Sequence, residues 1–247
     1  MDSKKTALVL HGWPQHKIPN YFLVRHLENK GYSVLVPDLF DQKTDFQITN
    51  LKNVVKDCLN SLKPDVIIGI SLGGVVLPYI ATDFGNSKLI FISTGTKFRP
   101  KPKLFNIFIR LSKHRSLQIL SGWILKLPVS FISLLYRTAD PFIGPEESRK
   151  KYLEDMTTNI RFIKGIPVSK ELQIVNFAIK TENSEILKSI DNQSLIFAGE
   201  HDLLMPKEEG ERLHKLLKNS YLVVNDGEHF DVITDKDLST VDKFLEY

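Results

Sequence analysis

The sequence predicts an α/β fold, a mostly parallel sheet of about six strands flanked by helices. Three observations carry that expectation. Short apolar runs alternate with segments whose apolar residues recur at helical spacing, which implies parallel strands joined by helical crossovers. The runs lack the apolar–polar alternation of a half-exposed strand, so they suit strands buried on both faces. The alternation also stops for roughly a hundred residues in mid-chain and then resumes, so an insertion interrupts the sheet.

Residues 6–10 form the first strand-like run and end at His11-Gly12. Residues 19–30 read as a helix, with Phe22, Leu23, His26 and Leu27 on one face and Gly31 as its stop. The next strand, 32–36, is closed by Pro37. Ile48, Leu51, Val54, Val55, Cys58, Leu59 and Leu62 then recur at helical spacing, with Thr49 or Asn50 placed to cap. Cys58 lies in that stripe and reads as a buried, inert thiol. Residues 65–69 form a third strand, followed by a Gly-rich turn and a helix over 73–83, and 88–93 form a fourth strand. After the interruption come a strand at 194–198, a helix over 207–218, a strand at 221–224 and a last helix near 238–245.

Composition excludes several classes. The 247 residues are 42% hydrophobic and 25% charged, with 13 Gly and 12 Pro, which is not the make-up of a disordered, collagen-like or coiled-coil chain. A single cysteine excludes an internal disulfide. No apolar run approaches the ~18 residues of a membrane span, and the N-terminus lacks the apolar stretch of a secretory signal. The expectation is a soluble cytoplasmic protein. Net charge is +4, but nine Lys/Arg and no acid fall between residues 97 and 139, leaving 24 basic against 29 acidic residues elsewhere.

Ligands of such a sheet bind beyond the carboxyl ends of its strands, so site residues should lie just after strands. Gly69-Ile70-Ser71-Leu72-Gly73-Gly74 sits between a buried strand and a helix. A serine at such a sharp turn is held in strained backbone angles with its hydroxyl exposed, and the flanking glycines permit close helix–strand approach. Serine needs a base to take its proton. Of the histidines, His26 and His214 lie within helix stripes, while His16 and His114 sit among polar or basic residues. His229, in Asn225-Asp226-Gly227-Glu228-His229-Phe230 after the last strand, is the candidate base. An acid must fix its tautomer, and Asp202 in Gly199-Glu200-His201-Asp202 is the choice, ahead of Glu200 and then Asp231. For the oxyanion the candidate donors are the amides of Leu72 and of Trp13, the latter in His11-Gly12-Trp13-Pro14, where Pro14 cannot donate. The Trp13 indole is also a candidate wall of the substrate site.

These four motifs, in this order after four strand candidates, closely resemble the α/β-hydrolase superfamily over about residues 5–95 and 190–247. The resemblance implies a triad of Ser71, Asp202 and His229 with Leu72 and Trp13 as oxyanion hole. The His-Gly-Trp-Pro loop is common in members with an aspartate nucleophile, but serine stands at the elbow here, which disfavours their reactions. The chain starts close to the superfamily's third strand, so the α/β-hydrolase sheet is expected to be shortened to about six strands. Residues 1–96 and 189–247 then form the core, and 97–188 form a helical cap or lid.

The cap segment is densely apolar from Leu104 to Leu135, and Phe105, Phe108 and Trp123 with Trp13 are candidate substrate-binding residues. Its basic residues read as a solvated outer face, with weak contact to an anionic membrane or attraction of an acidic substrate as alternatives. Nucleic acid is not an expected partner, because no recognition motif is present. The expected function is cleavage of a small-molecule carboxylic ester with an apolar or medium-chain acyl group, without metal or cofactor. Carbon–carbon, thioester or amide hydrolysis, or a non-catalytic binding module, are the alternatives.

Overall fold

The computed structural model describes residues 4–13, 22–41, 45–101, 106, 110, 126–131, 161–162, 164–229 and 232–246. Six strands form one sheet: β1 (Thr6–Leu10), β2 (Ser33–Leu35), β3 (Val66–Ile70), β4 (Lys88–Ile92), β5 (Ser194–Gly199) and β6 (Ser220–Asn225). Every neighbouring pair is parallel, in the order β2-β1-β3-β4-β5-β6. The helices are α1 (Phe22–Asn29), α2 (Ile48–Leu59), α3 (Leu72–Ala81), α4 (Val168–Lys180), α5 (Ser184–Lys188), α6 (Lys207–Leu216) and α7 (Leu238–Glu246).

Strand residues divide by the period of two between two cores. Leu8, Leu10, Ile67, Leu89, Phe91 and Ile196 pack with α2, α3, α5 and α6 on one face. Ala7, Val9, Ile68, Ile90, Ile92 and Phe197 pack with α1 and α7 on the other. Both faces are covered, which is why the strands read as continuous apolar runs. Gly31, at φ +88°, ends α1 as its position suggested, with the Tyr32 amide donating back to the Leu27 carbonyl. The capping expectation for α2 is corrected. Thr49 and Asn50 lie inside the helix, and Gln47 occupies the cap position without a side-chain bond. Just ahead of the cap position, the Phe46 amide donates to Gln173 Oε1 of α4 at 2.9 Å, which ties the entry to α2 to that helix.

The chain leaves the core after β4 and returns beside its point of exit, where the Asn183 amide donates to the Thr96 carbonyl at 2.9 Å. Buried Glu209 of α6 accepts from the Thr96 hydroxyl at 2.8 Å and pairs with Arg99. Arg99 also faces Glu182 at 3.5 Å, and Lys101 faces Glu208 at 3.2 Å, so part of the basic excess is matched by acids around this neck. Helix α4 lays Ile174 into the core, and Leu187 of α5 is fully buried there. No helix among the described residues is long and apolar enough to cross a membrane.

The strand order reverses direction between β1 and β3, which opens a crevice at their carboxyl ends. The loops after those two strands begin at His11 and Ser71.

Candidate active site

Ser71 stands between β3 and α3 with φ 50° and ψ −115°. Few L-residues tolerate that conformation, and it survives here because the surroundings leave no alternative. A Cβ on Gly73 would lie 2.0 Å from the Leu10 carbonyl oxygen, so only glycine lets α3 press this closely on β1. The Thr94 hydroxyl donates to the Ser71 carbonyl at 2.8 Å, fixing the turn from the β4 side.

The Ser71 hydroxyl donates to His229 Nε2 across 2.9 Å, and His229 Nδ1–H donates to Asp202 Oδ2 at 2.8 Å. The other Asp202 oxygen accepts from the Leu204 and Met205 amides at 2.9 and 2.8 Å. Asp202 is 1% exposed, so this carboxylate is dry, aimed and fully hydrogen-bonded. The Ser93 hydroxyl, also after a strand, donates to the His229 carbonyl at 2.9 Å and steadies the histidine's backbone.

Glu200 does not join this chain. It is half-exposed and pairs with Lys207. Asp231, Pro14, His16, His114, Phe105, Phe108 and Trp123 lie outside the described residues. His26 bonds Asp242 and His214 bonds Ser220, so both are engaged away from the site. Cys58 is partly buried, which pushes its thiol up from the ordinary range, away from the reactive thiolate.

Leu72 and Trp13 both border a cavity beside Ser71, with Phe98, Ile174, Val175 and Met205 as further walls. Its volume is about 40 Å³ and its surface is almost wholly apolar. The backbone N–H groups of Leu72 and Trp13 donate to no partner among the described residues. A Cβ built on Gly12 would come 3.2 Å from the Ser71 Cβ, so the loop bearing Trp13 lies directly against the elbow. His11 holds that loop from beneath: its Nε2 accepts from the Leu39 amide at 2.9 Å, which leaves Nδ1–H to donate to the Gly12 carbonyl at 3.0 Å. Among the described residues, no three His, Cys, Asp or Glu side chains form a group suited to a metal.

Sequence reasoning missed Glu171, on α4. It is 1% exposed, and its Oε2 accepts from the Trp13 indole N–H at 2.9 Å. Its Oε1 is buried with no hydrogen-bond partner among the described residues. Burial raises its pKa from 4.5 to about 7, with the Trp13 bond opposing. The signal was an acid one turn ahead of Ile174 and Val175, on an otherwise apolar stripe. The native state therefore holds a proton that the unfolded chain has released between pH 4.5 and 7. Its contribution is intact below pH 4.5 and is lost as pH rises through 7, a change on the order of 3 kcal/mol. Urea denaturation should show Glu171→Gln gaining on wild type by about that amount between pH 4.5 and 8. A pH-independent difference would contradict it.

A family model described as the alpha/beta hydrolase fold matches residues 6–236. No curated protein matches in sequence. Among solved structures, a hydrolase from Oleispira antarctica superposes with TM-score 0.69 at 16% identity, covering 99% of this chain and 92% of that one. An esterase from Exiguobacterium antarcticum gives TM-score 0.63 at 18% identity, covering 99% and 90%. A bromoperoxidase from Bacillus anthracis gives 0.67 at 16%, again covering 99% and 90%. Proteins with different activities thus share this fold, and the reaction must be argued from the site.

Proposed function

The chain belongs to the alpha/beta hydrolase fold family, and from that premise we propose that it is a serine hydrolase cleaving carboxylic esters of small apolar acids. The observation that supports this most is the hydrogen-bonded series from Ser71 through His229 to Asp202. Its members follow β3, β6 and β5, and the nucleophile sits at the strained turn.

Ser71 Oγ attacks the ester carbonyl carbon as its proton passes to His229 Nε2. Asp202 accepts from Nδ1–H and stabilises the imidazolium. The carbonyl oxygen becomes an oxyanion facing the amides of Leu72 and Trp13, assisted by the positive end of α3. Collapse of the intermediate breaks the ester C–O bond, and His229 gives its proton to the departing alcohol. Water, deprotonated by His229, then attacks the acyl-serine; the carboxylic acid leaves and Ser71 regains its proton.

Cavity size bears on the acyl group. At about 40 Å³ with an almost wholly apolar lining, the cavity beside Ser71 is small, a few times the space that a single water needs. That favours acetyl to butyryl over medium-chain acyl groups. A series of p-nitrophenyl esters from acetate to decanoate tests this. The expected kcat/KM peaks at or below butyrate and falls about tenfold or more by octanoate, the scale of a few misfitted methylenes. A flat or rising series would overturn the acyl assignment, and no turnover of any ester would count against ester cleavage.

A further inference from the structure

We propose that Glu171 is a positioning residue for the reaction, anchoring the Trp13 indole and thereby aiming the Trp13 amide at the oxyanion. The proposal rests on the serine-hydrolase reading above. A buried carboxyl with one unpartnered oxygen destabilises a fold, and an apolar side chain of similar size would not. Glu171 is such a group: it is 1% exposed, and Oε1 lacks a hydrogen-bond partner among the described residues. Its side-chain hydrogen bond joins positions 158 residues apart and ends on a wall of the cavity that holds Ser71.

The loop after β1 shows what that bond does. His11 is tied to the Leu39 amide and the Gly12 carbonyl, and Gly12 is pinned against Ser71. One residue later, the Trp13 amide has no hydrogen bond among the described residues to fix its direction. The indole packs against the core, and Glu171 holds its N–H. Ile174, Val175 and Ala178, on the same helix, line the cavity, so α4 carries both the wall and the anchor. Other ionisable groups nearby are engaged elsewhere: Lys170 is in the field of Asp38, Asp41 and Asp45, and His229 is bonded to Asp202 and Ser71.

The test compares Glu171→Leu, which removes the acceptor, with Glu171→Gln, which keeps one, in the full chain with p-nitrophenyl butyrate. Glu171→Leu should lower kcat about 10- to 100-fold, less than outright loss of an oxyanion donor, with KM within about twofold. Glu171→Gln should recover most of that loss. In a Trp13→Phe background, Glu171→Leu should have no further effect, because the two act as one unit. In a Trp123→Phe background Trp13 is the sole tryptophan, and its emission should shift in Glu171→Leu but not in Glu171→Gln. Unchanged kcat and unchanged emission in Glu171→Leu would overturn the proposal, as would additive effects with Trp13→Phe. A wild type inert to esters and to a fluorophosphonate sinks the hydrolase reading instead. The emission comparison then decides alone whether Glu171 holds Trp13. If Glu171→Leu does not fold, Trp13→Phe against Glu171→Gln gives the same contrast: the first loses kcat and the second keeps most of it.

Discussion

Ser71→Ala is expected to lower kcat for p-nitrophenyl butyrate by about 10⁴-fold or more without unfolding the protein. Ser71 Oγ is the hydroxyl hydrogen-bonded to His229 Nε2, and what remains without it is the contribution of binding and oxyanion donors, which leaves catalysis far below that of the intact triad. Ser71→Gly should be as inactive and yet more stable. At φ 50° and ψ −115° an L-residue is strained by about 1–3 kcal/mol, and glycine relieves part of it. A urea midpoint above wild type checks this, with Ser71→Ala, which keeps the strain, as the comparison. Retention of more than about one per cent of kcat in Ser71→Ala would show that another group attacks the ester.

Asp202→Asn is expected to cost about 10⁴-fold in kcat, against less than about twofold for Glu200→Gln. The asymmetry follows from their surroundings. Asp202 is dry, accepts from His229 Nδ1–H and takes two backbone amides on its other oxygen. In the asparagine variant those two amides claim the side-chain oxygen, which turns the Nδ2 group towards His229. The imidazole must then present an unprotonated Nδ1 and carry its proton on Nε2, where it can no longer accept from Ser71. Glu200 is half in solvent and pairs with Lys207, so its charge is screened and its loss is felt little. Steady-state kinetics of the two variants side by side decides the matter, and a larger loss in Glu200→Gln would reverse the assignment.

Both assignments were legible in the sequence for one physical reason. A sheet buried on both faces writes its strands as continuous apolar runs, and its chemistry follows those runs. Ser71, Asp202 and His229 each come just after one, as does Thr94, while Ser93 falls just past a strand that the sequence alone extends by one residue. What was not legible depends on contacts between distant segments. Thr49 and Asn50 lie inside α2 rather than capping it, and the chain just before the helix is tied at Phe46 to Gln173 of α4. Glu171 acquires its meaning only when α4 folds back over the loop after β1. The density of apolar residues from Leu104 to Leu135 points to a cap but does not say which of them meets substrate, and Phe105, Phe108 and Trp123 lie outside the described residues.

In the proposed reaction Ser71 is a nucleophile activated by His229. Labelling the native protein with a fluorophosphonate and mapping the modified peptide tests it most directly. One stoichiometric adduct on Ser71 is expected, lost in Ser71→Ala and strongly slowed in His229→Ala. An unlabelled wild type, or an adduct on any other residue, would contradict it.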